Sequence, residues 1–454
     1  MDIIIVGCGK VGRNLAEQLS AEEGINLVLI DTNAEKINTM CEETDAMGII
    51  GNGTSIHILR EAGIETADIL IAITASDEVN LLCCLIAQQA GKPGHCHTIA
   101  RVRNPIYNDE IKFIKERLGI SMIINPELAA AQEISRLLSL PFAINIDIFA
   151  KGKVELLQFR LKPEFGLGGL SIIQMSEKLK CDILVCAVER DDQITIPNGS
   201  FVLQDNDLLS IVASPQNAIT FFQKIGMKTN KVRSTLLLGG GTTTFYLAKE
   251  LMEMGISVKI VEKDLHRCEQ LSELLPNAIV IHGNATDKRL LLEEGLRMTE
   301  SVVTLTNLDE ENIFLGLYAK TQTNAKIIAR VERLSYDEII DNLDIGSVVY
   351  PKFLTSDFIS QYVRSLKNSL GSNIETLYHI LDNRAEALEF HVHETPFSGT
   401  PLAKLNLKDN LLLCCISRSG RIFIPRGQDC IESGDSVVVV TTIKGLNDIR
   451  DIVK

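Results

Sequence analysis

What the sequence lacks narrows its class. No apolar run approaches the ~20 residues that a bilayer-spanning helix needs, so no membrane span is expected in its 454 residues. Positive charge is in deficit: 45 Lys and Arg against 59 Asp and Glu give a net charge of −14. No basic stripe offsets that balance, which excludes nucleic acid as a general partner and disfavours unaided binding to anionic lipid. A membrane protein with a basic cytoplasmic face remains a compatible partner. There is no disordered bias in composition, and with a core strand expected from residue 2, no signal peptide is expected. The eleven cysteines form no disulfide framework. Cys8 lies in a glycine loop, Cys83-Cys84 and Cys414-Cys415 are adjacent pairs, and the count is odd, so small buried thiols in a reducing cytosol are expected.

A recognisable catalytic apparatus is also missing. There is no nucleophile elbow, no Walker lysine and no obvious proton-transfer pair, and no residue nominates itself to stand beside a nicotinamide. His95-Cys96-His97 has no second ligand pair at metal-site spacing, so a structural role is expected. His391-x-His393 reads as a structural pair on one face of a strand.

What is present is a duplicated fingerprint. Gly7-Cys8-Gly9-Lys10-Val11-Gly12 follows the apolar run Ile3-Ile4-Ile5-Val6, and Gly239-Gly240-Gly241-Thr242-Thr243-Thr244 follows Leu236-Leu237-Leu238, 232 residues later. One such loop is weak evidence; two in register with a long internal repeat are strong evidence for a duplicated nucleotide-binding unit. The repeat continues. Asp31 closes NLVLID and Glu262 closes SVKIVE. Gly51-Asn52-Gly53-Thr54 matches Gly283-Asn284-Ala285-Thr286, and the segment from Thr74 through Asp77 to Asn80 matches that from Thr306 through Asp309 to Asn312. Ala100-Arg101-Val102 matches Ala329-Arg330-Val331, and Asn125-Pro126 matches Tyr350-Pro351.

Length predicts three or four domains of roughly 100–150 residues. Residues 1–140 alternate short apolar strands (IIIV, LVLI, GII, ILIAI, TIARV, MII) with amphipathic helices, the pattern of a doubly wound parallel sheet. Pro126 starts a helix over Glu127–Leu140 that Pro141 ends. Leu128, Ala131, Ile134, Leu137 and Leu138 make it too apolar for a solvated linker; its counterpart carries Phe353, Phe358, Ile359, Val363 and Leu366. Both are expected to be buried between units. Residues 141–229 change to short strands (VELLQFRL, DILVCAV, DLLSIVA) with a turn at Pro197-Asn198-Gly199. Residues 230–368 repeat the first pattern and 369–454 the second, with LEFHV, LLLCCISR, a turn at Pro425-Arg426-Gly427, and SVVVV. The fold class is therefore α/β: two Rossmann-like doubly wound parallel sheets, each followed by a small α+β module. The module turns read as plain hairpin turns.

In copy one, Gly7 makes the tight turn, Gly9 lets the backbone approach a pyrophosphate at a helix N-terminus, and Gly12 lets helix and strand pack closely. Asp31 sits where a carboxylate accepts hydrogen bonds from an adenosine ribose and repels a 2′-phosphate, favouring NAD or an adenine nucleotide over NADP. Lys10 either reaches a terminal phosphate of ATP or ADP or is a surface lysine. Arg101, ending the fifth strand, either pairs with a carboxylate such as Asp77 or serves a phosphate or an interface. In copy two, Thr244 replaces the third glycine and is expected to push the helix from the strand. Thr242 replaces the lysine, which is expected to disfavour a polyphosphate there. Three outcomes stay open for that copy: a different ligand, weaker binding, or a relic site that still packs.

The order of two Rossmann-like units, each followed by a small β-rich module, resembles the TrkA-type cytosolic regulatory subunits of Trk potassium uptake systems, whose units are called RCK or KTN domains. Carrying the resemblance are the GCGKVG loop, Asp31, the turn at 51–54, the Thr74-to-Asn80 segment, Arg101 and their second-copy partners. The family's Gly-Asp-x-Thr turn has Asn52 and Asn284 in place of aspartate, an amide still able to accept from an adenine amino group; Thr242 and Thr244 also depart. The resemblance implies a gating subunit rather than an enzyme. It implies NAD(H), ATP or ADP as regulatory ligands at Gly7, Cys8, Gly9, Lys10, Val11, Gly12, Asp31, Asn52, Thr54, Thr74 and Arg101. The second-copy ligand residues are Gly239, Gly240, Gly241, Thr242, Thr243, Glu262, Asn284, Thr306 and Arg330. It further implies a homo-oligomeric ring, a tetramer, in the cytoplasm at the inner face of the membrane, docked on a TrkH-like potassium-translocating subunit. An NAD-dependent dehydrogenase and a nucleotide-sensing scaffold for another partner are the competing classes.

Overall fold

The computed structural model describes all residues except 23, 91–95, 109, 140–144, 150–153, 192, 228–231, 333–342, 344, 369–373, 381–383, 394, 420, 444 and 447. His95, Leu140, Pro141 and the expected junctions at 140/141, 229/230 and 368/369 touch residues outside that description. The chain forms two compact units, one from Met1–Ser135 with Val232–Val363, the other from Arg136–Lys231 with Arg364–Lys454.

The first unit holds two parallel sheets of six strands. β1 (Asp2–Val6), β2 (Asn26–Asp31), β3 (Ala46–Ile50), β4 (Ile69–Ala72), β5 (His97–Arg101) and β6 (Met122–Ile124) lie in the order β3-β2-β1-β4-β5-β6. All neighbours are parallel, so the strand order reverses between β1 and β4. Ile3–Val6 and Ile69–Ala72 are buried throughout, as strands covered on both faces must be. Six strands of copy two, which follow below, form the same order.

The second unit holds two antiparallel sheets. β7 (Asn145–Phe149), β8 (Val154–Arg160), β9 (Ile183–Arg190), β10 (Gln193–Thr195) and β11 (Leu208–Ala213) run in the order β10-β9-β11-β8-β7. Back in the first unit come β12 (Ser234–Leu238), β13 (Ser257–Glu262), β14 (Ile279–His282), β15 (Ser301–Thr304), β16 (Lys326–Arg330) and β17 (Ser347–Val349), ordered β14-β13-β12-β15-β16-β17. The last sheet is β18 (Ile374–Ile380), β19 (Ala385–His391), β20 (Leu411–Arg418), β21 (Arg421–Phe423) and β22 (Ser436–Thr441), ordered β18-β19-β22-β20-β21. The two modules share one core: Leu156, Cys186, Ala187 and Val212 pack with Ala385, Ala387, Cys414, Cys415, Val438 and Val440. Small side chains at these positions let the sheets approach. Arg384 reaches Glu189 at 2.6 Å across the same contact.

The modules differ in helix. Ser171 and Gln174 form a capping box that starts the helix Ile172–Leu179. Its counterpart region begins at Pro401 and makes a 3₁₀ turn, Leu402–Lys404. The Pro197-Asn198-Gly199 turn does not close a hairpin. It follows β10, and the Asn198 side chain accepts from the Ser200 amide and hydroxyl at 3.1 and 2.8 Å. The β9–β10 hairpin instead turns through Asp191, which holds φ +47°.

The helices after β6 and β17, Pro126–Ser139 and Pro351–Asn368, hold the Rossmann-like copies together. Asn125, just before the first, donates to the Tyr246 hydroxyl at 3.1 Å, and Ser135 reaches the Met254 sulfur at 3.2 Å. On the second, Ser356 meets Asn14 at 2.5 Å, while Asp357 and Ser360 meet Gln18 at 3.1 and 3.0 Å. Each helix thus crosses to the other copy's glycine-loop helix. Ala131, Ile134, Leu137, Leu138, Ile359 and Val363 are buried, whereas Leu128, Phe353 and Leu366 are half-buried and Phe358 remains 44% exposed. The eleven cysteines are free thiols, eight of them buried.

Candidate functional site

Both glycine loops form at the C-terminal edge of their sheets, beside the reversal of strand order where open α/β sheets bind ligands. β1 leads into Gly7, held at φ +107°. A Cβ there would stand 2.9 Å from the Thr74 amide nitrogen, so only glycine fits. A Cβ on Gly12 would lie 2.1 Å from the Gly7 carbonyl oxygen. At Gly9 a Cβ would meet nothing within 4 Å, which leaves the space over the loop open for a ligand. Gly9 is also the N-cap of the helix Lys10–Ser20 and supplies no side-chain cap. The first-turn amides therefore keep donors for an anion.

Asp31 braces this loop. One carboxylate oxygen accepts from the Cys8 amide at 2.8 Å, the other from the Asn33 amide at 2.9 Å. Each oxygen keeps a second lone pair for a ribose hydroxyl. Burial, with the Asp31 charge next, pushes the Cys8 thiol up to about 12, so it stays protonated.

Copy two reaches the same result with different parts. Gly239 holds φ +110°, Gly241 has open space where its Cβ would be, and the helix Thr242–Glu253 again starts without a side-chain cap. The Gly240 amide donates to Glu262 at 2.6 Å, and the Asp264 amide to the other oxygen at 2.8 Å. Glu262 is one methylene longer than Asp31, and the space it needs is the space of the missing Cys8 side chain. A Cβ on Gly240 would come within 2.9 Å of Glu262 Cγ and 2.8 Å of Leu271 Cδ1. Copy one pairs cysteine with a short acid; copy two pairs glycine with a long one. Thr244, expected to force helix from strand, donates its hydroxyl to the Gly239 carbonyl at 2.6 Å. That bond turns the steric intrusion into a contact. Arg267 adds a brace without a copy-one equivalent in the structure, donating from Nε to the Gly240 carbonyl at 2.7 Å.

The turns after β3 and β14 are tied to the acid-bearing strands: the Gly51 amide donates to the Asp31 carbonyl at 2.9 Å, and the Gly283 amide to the Glu262 carbonyl at 2.8 Å. The Asn52 side-chain oxygen already accepts from the Thr54 amide and hydroxyl, at 3.0 and 2.9 Å. Asn284 does the same for the Thr286 amide at 3.0 Å. The outward group of each amide is therefore its NH₂, which suits an acceptor nitrogen of a purine ring rather than its amino group.

Thr74 is spoken for. Its amide and hydroxyl both donate to the Asn80 side-chain oxygen at 2.7 Å, and Asn80 donates onward to the Arg101 carbonyl at 2.9 Å. Asn312 repeats the clamp between the Thr306 amide at 2.8 Å and the Arg330 carbonyl at 2.9 Å. Both asparagines are fully buried, and they tie the end of the fourth strand to the end of the fifth in each copy. The repeat contains them, but only the structure gives their role.

Arg101 does not pair with Asp77 directly. Asp77, 6% exposed, accepts from the Arg103 and Asn104 amides at 3.0 and 2.8 Å through one oxygen. Its other oxygen, Arg101 Nε and one oxygen of Glu127 are all buried without a hydrogen-bond partner. Burial lowers the Arg101 pKa and Arg103 adds to that, while Glu127, Asp77 and Glu332 pull the other way. Arg330 pairs with Glu332, and its Nε is likewise buried and unpartnered.

Across the seam between the copies, Lys10 Nζ lies 2.6 Å from a carboxylate oxygen of Glu332. The matching place on the other side is a cleft of about 520 Å³. It is lined by residues 75–78, Arg103, Asn104, Pro105 and Glu127 of copy one and by Thr242 of copy two. Glu332 and Arg103 were not among the sequence candidates. Comparing Arg101-Val102-Arg103 with Arg330-Val331-Glu332 would have exposed the charge reversal.

Among the described residues no group of three or more His, Cys, Asp or Glu side chains is placed to hold a metal ion. His97 instead lies 3.3 Å from both the Ser121 and Tyr362 hydroxyls. Among the described residues no helix is long and apolar enough to cross a membrane.

The TrkA-N domain model matches residues 3–126 and 235–351, and the TrkA-C domain model matches 156–226 and 388–454. A Trk system potassium uptake protein TrkA homolog 1 of Methanosarcina mazei is 33% identical with full coverage of both chains. The TrkA homolog of Archaeoglobus fulgidus is 30% identical, again over 100% of each. The Trk system potassium uptake protein TrkA of Haemophilus influenzae is 29% identical over 98% of this chain and 96% of its own. Among solved structures, the GsuK channel bound to NAD matches 97% of this chain and 76% of that one, at 17% identity and TM-score 0.62. The GsuK RCK domain matches 97% and 92%, at 17% identity and TM-score 0.61.

Proposed function

Because the chain belongs to the TrkA family, we propose that it is the nucleotide-binding regulatory subunit of a potassium uptake system, gating a membrane K⁺-translocating partner of TrkH type. The observation that carries the reading is the pair of open, uncapped glycine loops, each with a strand-end carboxylate, set in two copies that grip one another through crossed helices. The open space where a Cβ on Gly9 or Gly241 would stand supports a pyrophosphate over each loop, with Asp31 or Glu262 on the ribose side. NAD(H), ADP and ATP all contain that unit. The GsuK channel, similar in fold, was captured with NAD.

The subunit acts by binding rather than turnover. A nucleotide bridging a loop and the opposite copy changes how the two copies meet, and the linker helices carry that change along the chain. Nucleotide shifts the partner only through its difference in affinity between two arrangements; a swing from 1:99 to 99:1 needs about 10⁴-fold. Repeated sites in a homo-oligomeric ring, a tetramer with eight Rossmann-like copies, sum modest contributions to that figure. The working place is the cytoplasmic face of the membrane, and the four modules have their borders near 140, 229 and 368. The test is calorimetric titration with NAD⁺, NADH, ADP and ATP, together with NADH turnover over a substrate panel. Binding without turnover supports the reading; steady oxidation of NADH with a substrate makes the chain a dehydrogenase.

A further inference from the structure

Two buried thiols meet where the small modules touch. In β9 the register against β11 slips between Val185 and Ala187, and in β20 the register against β22 slips between Leu413 and Cys415. The skipped residues, Cys186 and Cys414, are the extra residues of β-bulges, a device that re-aims a side chain. They are equivalent in the two modules. Each stands four residues before an arginine that pairs with the aspartate just ahead of β11 or β22, Arg190 with Asp207 and Arg418 with Asp435. Strands β9 and β20 approach within 8 Å, Cα to Cα, and both thiols are fully buried in the core that the modules share. Burial pushes the Cys414 thiol well up, and its hydrogen bond with Cys186 adds to that. Matching bulges thus bring one thiol from each module to a single point.

The face around that point carries polar groups with no use in the protein. Ser210 stands opposite Ala187 on one side and Gln158 on the other, and the Cys186 thiol donates to the Ser210 carbonyl at 3.2 Å. Ser210 Oγ and Gln158 Nε2 are buried without a hydrogen-bond partner. A buried orphan of this kind calls for a reason, such as an ion that it serves when bound. The carboxylates Glu189 and Glu389 on these faces are already engaged, by Arg384 and by the Ser436 hydroxyl, each at 2.6 Å. We infer that Cys186 and Cys414 form a two-coordinate site for a soft monovalent ion, copper(I), shared by the two modules. Thiolates select copper(I), zinc or iron–sulfur clusters. Zinc sites and iron–sulfur clusters take four protein ligands, and among the described residues no third His, Cys, Asp or Glu side chain is placed to complete such a set. A linear copper(I) bis-thiolate asks for two sulfurs alone. One ion displaces both thiol protons to solvent and leaves a complex of charge −1. The idle Ser210 hydroxyl then becomes a donor to that charge, with the Gln158 amide opposite it as a second.

The test is anaerobic titration of the full chain with copper(I) buffered by a chromophoric chelator, joined to X-ray absorption at the copper edge. The wild type should hold a single ion per chain with two sulfur neighbours. Its affinity should rise about hundredfold per pH unit, because two protons leave. Cys186→Ala and Cys414→Ala should each abolish that ion, whereas Cys181→Ala and Cys430→Ala, at partly exposed thiols, should leave it in place. Ser210→Ala should weaken it about tenfold. Hydrogen exchange over β9 and β20 in the copper-free variants checks that the modules still pack; where they do not, the wild-type spectrum and pH slope decide. Copper retained by the Cys186→Ala/Cys414→Ala double variant, a copper ion with three or more sulfur neighbours, or a wild-type chain that takes no copper from the chelator overturns the site. None of these outcomes depends on nucleotide at the glycine loops.

Discussion

Transplanting the copy-one loop into copy two tests whether the acid and the residue after the first glycine are matched in size. In the structure Gly240 leaves 2.9 Å between a hypothetical Cβ and Glu262 Cγ, and 2.8 Å to Leu271 Cδ1. Gly240→Cys alone therefore overpacks the site, at about 1–3 kcal/mol. Glu262→Asp alone withdraws the carboxylate by one methylene and strands the Gly240 amide, which now bonds at 2.6 Å, at about 1–3 kcal/mol. The double variant recreates the Cys8–Asp31 pairing, whose bond is 2.8 Å, so most of both losses should vanish. Copy one carries the unbranched Met40 where copy two has Leu271, and Leu271→Met should remove the residual crowding. The assay is hydrogen exchange read by mass spectrometry over residues 236–252, which reports the local opening free energy. The coupling between the two positions should be roughly 2 kcal/mol or more in the favourable direction. Additive losses, with the double variant as loose as the sum of the singles, would refute the size-matching argument.

Other outcomes follow from the same geometry. Asp31→Ala, measured with copy two blocked by Gly241→Val, should weaken ADP and NAD⁺ by about 1–3 kcal/mol, with Asp31→Asn losing less because one acceptor persists; unchanged calorimetric affinity would remove Asp31 from the site. Asn80→Ala should loosen the ends of β4 and β5 by about 2 kcal/mol or more, since a buried amide serves the Thr74 amide, the Thr74 hydroxyl and the Arg101 carbonyl at once; exchange protection at residues 72–74 that survives the change would contradict the clamp. Thr244→Val should destabilise the start of its helix by about 1 kcal/mol through loss of the 2.6 Å bond to Gly239, visible as faster exchange in residues 242–246.

Much of the fold was legible because its signals are local and periodic. Short apolar runs broken by amphipathic stretches marked every strand of the first parallel sheet and the first two of the second, and the 232-residue offset identified the second copy even though Thr244 spoils its fingerprint. Asp31 and Glu262 were placed by spacing alone, and the structure sets both on their loops. Three things were not legible. The tolerance of Thr244 depends on where its hydroxyl points, which no spacing rule encodes. The roles of Asn80 and Asn312 depend on burial between strands that are distant in sequence. Lys10 and Glu332 are 322 residues apart, and nothing local links them. Contacts of that kind become visible only when crossed helices bring one copy's loop against the other copy's fifth strand.

The most direct test of the account is potassium flux through a Trk-type translocating subunit reconstituted in liposomes with this chain, with and without NAD(H), ADP and ATP. The account predicts flux that changes with nucleotide and becomes nucleotide-independent when Gly9→Val and Gly241→Val block both loops. Flux that ignores the chain, or that responds to nucleotide equally after both loops are blocked, would contradict it.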